Sequence, residues 1–319
     1  MSDNRRMDKH SKPKRKLKRW VKVVIALAAL LFISTTAYAA SVYMDAKSTI
    51  NNQVYQSVDS IDDKVGSGKI SREEPLNILL LGVDKRPNDS GRSDAMMVLS
   101  LRPEKNAMKI VSIPRDSRVD IAGEDYGYDK INHAYAYGGV DKSVATVEDF
   151  LNIELDYYVS MNMQGLSDMV DAIGGITVNN PIEWHDAGYY KKGYHYEKGK
   201  IHLNGPKTMG YVRMRYQDPR GDLGRTLRER QVIQAVIDKG ASFNSVGKIG
   251  DMLDVLGNNM STNLDFEDMK GLFLNYRNVR KNMESYQIKG EGTRIDGTFY
   301  FQVPEEEVQK VHDMLSKDE

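Results

Sequence analysis

The chain contains no cysteine among its 319 residues. It therefore has no disulfide framework, no thiolate metal site and no cysteine nucleophile. It also lacks the motifs GxxxxGK(S/T), GxGxxG after a strand, HExxH and GxSxG. Their absence argues against four classes of protein: P-loop NTPases, Rossmann-type dinucleotide-binding proteins, zincin metalloproteases and α/β-hydrolases.

Excess positive charge is confined to one end of the chain. Residues 1–22 carry ten Lys or Arg and two Asp, a net charge of +8, and the rest of the chain carries −8. Non-specific binding of nucleic acid depends on neutralising many phosphates with surface Lys and Arg. The acidic body therefore argues against a nucleic-acid partner. A hydrophobic content of 40% is enough for one substantial core.

A long uncharged run follows the basic tail, over residues 23–43. Its 21 residues are enough to cross a bilayer as one helix, and Trp20 and Tyr43 flank it where interfacial aromatics are expected. Because the basic flank is N-terminal, we expect a single-pass type II anchor with a cytoplasmic tail. A cleaved signal peptide is the alternative, because Ala37 and Ala39 fit an A-x-A site, but the run is longer than a typical signal h-region.

The polar segment 44–74 predicts a partly helical juxtamembrane stalk, and the globular domain, 75–319, opens at Pro75. Apolar runs predict strands at 76–83, 96–101, 108–113, 157–161, 176–178 and 297–303. Helical spacing predicts helices at 140–151, 164–173, 206–213, 223–239, 265–279 and from 304 onward. Segment 181–202 is interpreted as a functional loop or an edge hairpin. Strands interleaved with helices favour an α/β fold with a central mixed sheet.

Two aspartates bracket the loop between the first two predicted strands. Asp84 directly follows the first strand, and Asp94, preceded by Arg92, opens the second. If these strands are antiparallel neighbours, both carboxylates meet at one sheet edge. There they can hold Mg²⁺ or Mn²⁺ through oxygen ligands, or one can act as a general base. Aspartates that only cap turns are the alternative.

More cationic residues follow the third predicted strand. Arg115 and Arg118 come directly after it, and Lys130 is a further candidate phosphate contact. A surface ion pair between Arg115 and Asp116 is the alternative. His133 is interpreted as structural, because the sequence places no partner beside it.

Six arginines occur in residues 213–231, which end at Gln231, in a part of the chain that is otherwise acidic. Guanidinium groups stay charged and donate paired hydrogen bonds to phosphate oxygens, so the cluster predicts a phosphate pocket. A glycine-containing turn leads into a helix whose N-terminus also favours anions. On that helix Arg228 shares a face with Arg225 and with Gln231. Arg220 and Arg230 are assigned to the surface.

Taken in order, these segments resemble the LytR-CpsA-Psr family of Gram-positive bacteria, and most of all its LytR-type members. The segments that carry the resemblance are 76–84, 92–94, 112–116, 130–135 and 213–231. The resemblance implies an αβα sandwich around a central mixed β-sheet, preceded by one transmembrane helix.

The resemblance also implies an extracellular phosphotransferase. Its donor would be a glycopolymer, such as wall teichoic acid, on an undecaprenyl pyrophosphate carrier whose polyprenyl tail sits in an apolar tunnel. Its acceptor would be the C6 hydroxyl of N-acetylmuramic acid in peptidoglycan. By motif match, Asp84 and Asp94 are the metal or base carboxylates, and Arg115 is catalytic. The residues that line the pyrophosphate are Arg92, Arg115, Arg213, Arg215, Arg225 and Gln231, with Arg118, Lys130, Asp222 and Arg228 as secondary candidates.

Two other functions stay open at this point. One is a non-catalytic, membrane-anchored binding or regulatory protein that attenuates transcription. The other is a hydrolase that cleaves lipid pyrophosphates, which would use the same residues and differ only in its acceptor. The choice of glycopolymer and of the aspartate that takes the acceptor proton is also open, as is the oligomeric state.

Overall fold

The structure is a computed structural model that describes residues 19–62, 68–84, 91–124, 126–188, 190–241, 255 and 257–316. Most of the predicted basic tail, and residues 85–90 of the loop after Asp84, lie outside the described residues. The chain divides into two compact units, Met1–Asp45 and Ala46–Glu319.

The first unit contains most of the long helix α1, Arg19–Thr49. By length and hydropathy, Leu27–Val54 qualifies as a candidate membrane span, and the predicted run 23–43 overlaps it. The hydroxyls of Ser34, Thr35 and Thr36 in this run form hydrogen bonds to carbonyls of the same helix. The Ser34 hydroxyl donates to the Leu31 carbonyl at 2.9 Å, and the Thr36 hydroxyl donates to the Phe32 carbonyl at 2.8 Å. Such internal bonds lower the cost of placing hydroxyls in hydrocarbon.

The second unit is built from strands and helices that alternate along the chain. The strands are β1 (Leu76–Asp84), β2 (Arg92–Arg102), β3 (Ala107–Ser112), β4 (Arg118–Asp120), β5 (Tyr128–Lys130), β6 (Tyr157–Asn162), β7 (Ile176–Asn180), β8 (Trp184–His185), β9 (His195–Tyr196), β10 (Gly199–Leu203), β11 (Met260–Thr262), β12 (Asn282–Gln287), β13 (Glu291–Ile295) and β14 (Thr298–Gln302). The helices after α1 are α2 (Asp59–Asp62), α3 (His133–Leu151), α4 (Met163–Ala172), α5 (Gly205–Arg213), α6 (Asp222–Ala241), α7 (Phe266–Asn275) and α8 (Glu305–Ser316).

Six strands form the central sheet in the order β11-β6-β1-β2-β3-β12. β1 pairs antiparallel with β2 and parallel with β6, and β3 pairs parallel with β12, so the sheet is mixed. The apolar run of β1 is buried from both sides, as expected of a central strand. The remaining strands form two-stranded ribbons, β7 with β10, β4 with β5, β8 with β9 and β13 with β14.

Helices cover both faces of the sheet. On one face, Leu79 and Val98 pack against the apolar stripe of α3 and against α8. On the other face, Ile78 and Met97 belong to a cluster that α6 and α7 complete. This arrangement is an αβα sandwich, so the predicted fold class is confirmed.

Strands β4, β5, β11, β12 and β13 were not predicted, and the segment assigned to a stalk also differs from the expectation. The segment assigned to a stalk lies partly in the folded body, where Val54, Val58 and Ile61 are at most 1% exposed. Val58 and Ile61 belong to the same buried cluster as Leu79 and Val98. β12 was not predicted, because its sequence has no apolar run, and it forms by parallel pairing with β3 at the sheet edge.

Candidate active site

A cavity of about 660 Å³ lies between the sheet and helices α4 and α6. Its polar part is lined by Asp84, Asp94, Arg115, Asn162, Arg213, Arg215, Arg225 and Glu229. Its apolar part is lined by Leu80, Leu81, Ala95, Met97, Val159, Met161, Met163, Leu166, Met169, Val212, Val232, Ile233 and Val236. Segments distant in sequence therefore bring four arginines and three carboxylates to one end of an otherwise apolar chamber.

The two predicted aspartates both line this cavity. β1 and β2 pair antiparallel, and an irregularity after Gly82 shifts the register so that Asp84 lies opposite Arg92. Gly82 faces Ala95, and a Cβ at Gly82 would come within 3.0 Å of the Ala95 Cβ. A small residue at this position keeps the strands close where the two carboxylates enter the cavity. The predicted antiparallel pairing across one loop is confirmed.

Arg115 connects one of these aspartates to the turn after β3. Its Nη1 donates to Asp94 Oδ1 at 2.8 Å, and its Nε lies 3.8 Å from Asp116 Oδ2. Burial disfavours the charge of Arg115, but the Asp94 carboxylate outweighs that effect, so the pKa of Arg115 is raised above its ordinary value. Arg115 therefore stays cationic in the cavity wall. Its Nε is a buried atom with no hydrogen-bond partner among the described residues.

The arginine-rich turn between α5 and α6 is organised by a buried aspartate, Asp218. Its Oδ2 accepts from Arg228 Nη1 at 2.5 Å and from Arg220 Nη2 at 2.9 Å. Burial opposes the charged carboxylate, but the hydrogen bonds from these two arginines lower the pKa of Asp218 to about 2. Gly224 makes this possible, because a Cβ there would overlap the Asp218 carboxylate. The turn is thereby fixed in the shape that presents Arg215 and Arg225 to the cavity.

Within residues 213–231, the three arginines that the sequence assigned to the pocket, Arg213, Arg215 and Arg225, all line the cavity. Arg213 ends α5, with its guanidinium 5.7 Å from the centre of the Tyr190 ring. Arg215 is exposed, with Nε 3.7 Å from Asp222 Oδ1. Arg225 is more enclosed, with Nη2 3.3 Å from Asp222 Oδ1. Asp222 therefore holds Arg215 and Arg225 side by side.

Glu229 lines the cavity but was not predicted from the sequence. Its Oε1 lies 3.4 Å from Arg225 Nε, and its side chain is 12% exposed. Burial raises the pKa of Glu229 to about 7, with Arg225 acting in the opposite direction. The signal that identifies it is its position one helical turn after Arg225, on the same face as Val232 and Val236.

Six other predicted residues do not line the cavity: Arg92, Arg118, Lys130, Asp222, Arg228 and Gln231. Arg228 is completely buried, and its guanidinium donates to Asp218 and to the carbonyls of Tyr211 and Met214, so it shapes the turn instead of facing a ligand. Gln231 is held between the backbone of β7 and the Tyr211 hydroxyl. Both residues lie on a side of α6 that faces protein, which is the physical reason for the difference.

Arg118 and Lys130 lie on the β4–β5 ribbon. The Arg118 guanidinium lies 4.3 Å from the centre of the Tyr128 ring, and Lys130 Nζ donates to Asp116 at 2.8 Å. Lys130 therefore reaches the site only through Asp116, next to Arg115. Arg92 is exposed on β2, opposite Asp84 in the strand register, and is not among the residues that line the cavity.

Two residues outside the predicted site, Arg230 and His133, have surroundings that differ from the expectation. Arg230 was expected on the surface but is buried, and its Nη1 donates to Ser112 at 3.1 Å and to Gln287 at 3.3 Å. It therefore fastens α6 to β3 and β12. His133 does have a partner, because its Nδ1 lies 2.8 Å from Asp129 Oδ2, and neither residue is among those that line the cavity.

The donor atoms of the cavity suit a divalent cation together with a phosphate. Asp84 and Asp94 offer carboxylate oxygens, which Mg²⁺ and Mn²⁺ prefer, and Mg²⁺ in proteins uses one or two carboxylates while substrate phosphates complete its shell. No cluster of three or more His, Cys, Asp or Glu that could hold a metal occurs among the described residues. The pair thus fits a metal that is held jointly with the substrate.

The sequence profile of the LytR_cpsA_psr family matches residues 32–317. The chain belongs to the LytR-CpsA-Psr family. It is 45% identical over 305 residues to the polyisoprenyl-teichoic acid–peptidoglycan teichoic acid transferase TagU of Bacillus cereus, with 95% of this chain and 97% of that protein covered. It is 40% identical over 292 residues to TagU of Bacillus subtilis, with 92% and 93% covered.

Solved structures of this family share the fold. The crystal structure of B. subtilis TagU matches with a TM-score of 0.62 at 39% identity, over 77% of this chain and 98% of that one. TagT bound to LIIa-WTA matches with a TM-score of 0.70 at 32% identity, over 82% and 97%. The resemblance that the motifs indicated is therefore confirmed. The prediction that the protein is a glycopolymer transferase is confirmed as well.

Proposed function

We propose that this LytR-CpsA-Psr protein transfers a phosphate-linked glycopolymer of the wall teichoic acid type to peptidoglycan. The donor is an undecaprenyl-pyrophosphate-linked polymer, and the acceptor is the C6 hydroxyl of N-acetylmuramic acid. One observation carries the proposal: the cavity is cationic at one end and apolar at the other. A polyprenyl pyrophosphate has the same division, with charged phosphates joined to a hydrocarbon tail. The names of the relatives and the ligand of TagT support the same substrate class.

Arg115, Arg213, Arg215 and Arg225 hold the pyrophosphate from two sides, because Arg115 follows β3 and the others belong to the α5–α6 turn. The Nε atoms of Arg115 and Arg225 are buried without a hydrogen-bond partner among the described residues, so an entering phosphate oxygen would satisfy them. The apolar chamber of Met, Leu, Ile and Val side chains receives the first isoprene units of the carrier.

The transfer is an in-line displacement at the phosphorus that carries the glycopolymer. The acceptor oxygen forms a new bond to this phosphorus, the bridging P–O bond breaks, and polyprenyl phosphate leaves. Asp84 accepts the hydroxyl proton, because it lines both the cavity and the second space that opens beside it. The arginines stabilise the charge that develops on the phosphoryl oxygens. A Mg²⁺ or Mn²⁺ ion held by Asp84 and Asp94 would neutralise further charge.

The anchor places this chemistry where its substrates are. We infer that α1 spans the cell membrane once, with the basic tail in the cytoplasm and the body outside a Gram-positive cell. A lipid-borne pyrophosphate in the outer leaflet can then reach the cavity. The reaction needs no ATP, because the pyrophosphate linkage is itself the activated bond.

A single assay tests this function against both alternatives. The full-length protein in detergent micelles is incubated with Mg²⁺, a labelled lipid-pyrophosphate-linked saccharide and peptidoglycan oligomers. Label attached to the glycan is the expected result. Release of free sugar phosphate instead would identify a hydrolase. No turnover, with Arg115→Ala behaving identically, would refute the enzyme and leave the regulatory function.

A further inference from the structure

A second groove opens beside the cavity, with a volume of about 720 Å³. It lies between the beginning of α3, the beginning of α4 and the edge strand β11. Four residues line both spaces: Asp84, Asn162, Met163 and Arg213. None of the α6 residues that line the apolar chamber takes part in the groove. The groove therefore meets the cavity at its phosphate end and not at its lipid end.

The groove is polar but almost uncharged. Apart from the shared Asp84 and Arg213, the described residues that line it contribute no charged side chain. Its polar side chains are Ser160, Asn162, Gln164, Asn258, Asn259 and Ser261, and the Tyr135 phenol lies among them. Amides and hydroxyls both donate and accept hydrogen bonds, which suits the alternating hydroxyl and acetamido groups of a saccharide. A charged peptide or nucleic acid would find little electrostatic complementarity here.

The amide side chains are held in place by the fold. Asn162 caps α4, where its Oδ1 accepts from the Gly165 amide at 2.7 Å, and its Nδ2 donates to Asn259 Oδ1 at 3.0 Å. Asn259 in turn donates to the Val255 carbonyl at 3.1 Å. This chain of bonds links the sheet edge to α4 next to Asp84. Preorganised polar groups lose less side-chain entropy when a ligand binds.

We propose that this groove is the acceptor subsite, which holds the peptidoglycan glycan strand with its reacting hydroxyl directed at Asp84. The assignment rests on the proposed function and names the substrate that arrives at the second side of the site. An in-line displacement requires the nucleophile to enter away from the leaving group. The leaving polyprenyl phosphate belongs to the apolar chamber, so the nucleophile enters from the neighbouring groove. Asp84 lines both spaces and can take the proton as the acceptor oxygen bonds to phosphorus.

The chain offers a matched pair of substitutions for the test. Ser261 lies on β11 and lines the groove, and Ser285 lies exposed on β12 at the opposite edge of the same sheet. Ser261→Tyr fills the groove, and Ser285→Tyr adds the same bulk far from it. Asn258→Ala, at an exposed position in the groove, removes a polar group without adding volume.

The experiment uses full-length protein in detergent with a labelled polyprenyl-pyrophosphate saccharide donor. A tetrasaccharide of alternating N-acetylglucosamine and N-acetylmuramic acid serves as the acceptor. We expect Ser261→Tyr to raise the KM for the tetrasaccharide by about tenfold or more, equivalent to about 1.4 kcal/mol of binding. The KM for the donor stays within about twofold. Asn258→Ala shows a smaller change in the same direction, and Ser285→Tyr matches the wild type.

The outcomes separate the subsite from the function. An unchanged KM for the tetrasaccharide in Ser261→Tyr and Asn258→Ala, with active wild type, overturns the subsite and leaves the transferase intact. A raised KM for the donor alone also overturns it, because the groove would then hold the donor saccharide. Wild-type protein that never labels the tetrasaccharide refutes the proposed function itself. If Ser261→Tyr does not fold, Asn258→Ala decides the question alone.

Discussion

Arg225 and Glu229 face each other across one turn of α6 inside the cavity, with Arg225 Nε 3.4 Å from Glu229 Oε1. The carboxylate occupies a position next to a guanidinium that the substrate phosphate also needs. Because burial raises the pKa of Glu229 to about 7, its charge is adjustable near neutral pH. When Glu229 is ionised, it attracts Arg225 and repels phosphate. When Glu229 is protonated, both effects are lost. We therefore expect this pair to link substrate binding to protonation of Glu229.

The first prediction concerns Glu229→Gln and pH. The folded protein binds the Glu229 proton more tightly than the unfolded chain, whose pKa is 4.5, so stability decreases as pH rises from 4.5 to about 7 and then levels off. The decrease is about 3 kcal/mol for this group, and Glu229→Gln removes it. Urea unfolding between pH 4.5 and 8 measures how the free energy of unfolding depends on pH in the wild type and in Glu229→Gln. Glu229→Gln should also bind pyrophosphate more tightly than wild type at pH 8. Equal pH slopes in the two proteins would contradict the prediction.

The second prediction is that Arg115→Ala lowers kcat/KM for transfer by about 10²–10³, as for the loss of one preorganised group that stabilises transition-state charge. Arg115 is enclosed and tied to Asp94 at 2.8 Å, so its geometry is fixed before the substrate enters. Arg115→Lys should recover only part of the loss, because an ammonium lacks the guanidinium fork. Arg294→Ala, on the exposed strand β13, is the control. Activity of Arg115→Ala within twofold of that control would exclude a catalytic role.

The third prediction concerns the metal. Chelation should abolish transfer, and Mg²⁺ or Mn²⁺ should restore it. In Asp94→Asn the Mg²⁺ concentration for half-maximal activity should rise by about tenfold or more, because one of two carboxylate ligands is neutralised. Asp120→Asn, at an exposed position on β4, should keep the wild-type requirement. Titrating Mg²⁺ against initial rate measures the shift, and full activity in chelator would refute the metal.

The parts of the site that sequence predicted are those determined locally along the chain. Asp84 and Asp94 belong to two strands joined by one short loop, so their meeting follows from antiparallel pairing. The assignments on α6 were less accurate. Helical spacing shows which residues share a face, but the rotation of the helix against its neighbours decides which face lines the cavity. In the structure Arg225 and Glu229 belong to that face, and Gln231 points to β7.

Tertiary contacts that local sequence does not show also explain the elements that were not predicted. β12 is polar and becomes a strand only because β3 offers it an unpaired edge, which is a tertiary effect on weak local propensity. Three apolar residues of the segment 44–74, Val54, Val58 and Ile61, are buried in the structure. The prediction of a stalk used the average composition of the segment, in which polar residues outnumber these three.

The fourth prediction tests the apolar chamber through the length of the lipid. Val236 lines the chamber on α6 and is half-buried, so Val236→Trp reduces the space available to the tail. We expect kcat/KM for an undecaprenyl donor to fall by about tenfold or more, since each buried CH₂ contributes about 0.8 kcal/mol. A donor with a short prenyl chain should be affected by less than about threefold, because it does not extend to Val236. Measuring both donors on one enzyme preparation provides the internal control. Equal losses for the two donors would show that the substitution acts elsewhere.

The last prediction concerns Asp218, which holds the arginine turn together without lining the cavity. Asp218 and Arg228 have completely buried side chains 2.5 Å apart, so Asp218→Asn leaves a buried guanidinium without its counter-ion. Removing one partner of such a pair costs about 3–5 kcal/mol. The pKa of Asp218 is lowered to about 2, so its contribution is complete above the unfolded pKa of 3.8 and is lost as pH falls toward 2.

Urea unfolding across pH 2–7 measures both effects. Wild type should lose stability between about pH 4 and pH 2, and Asp218→Asn should start lower and change less over that interval. Asp120→Asn again serves as the exposed control. Because Arg215 and Arg225 depend on this turn, Asp218→Asn should also weaken pyrophosphate binding although Asp218 does not line the cavity. Unchanged pyrophosphate affinity in a destabilised Asp218→Asn would show that the arginines keep their positions without this buried pair.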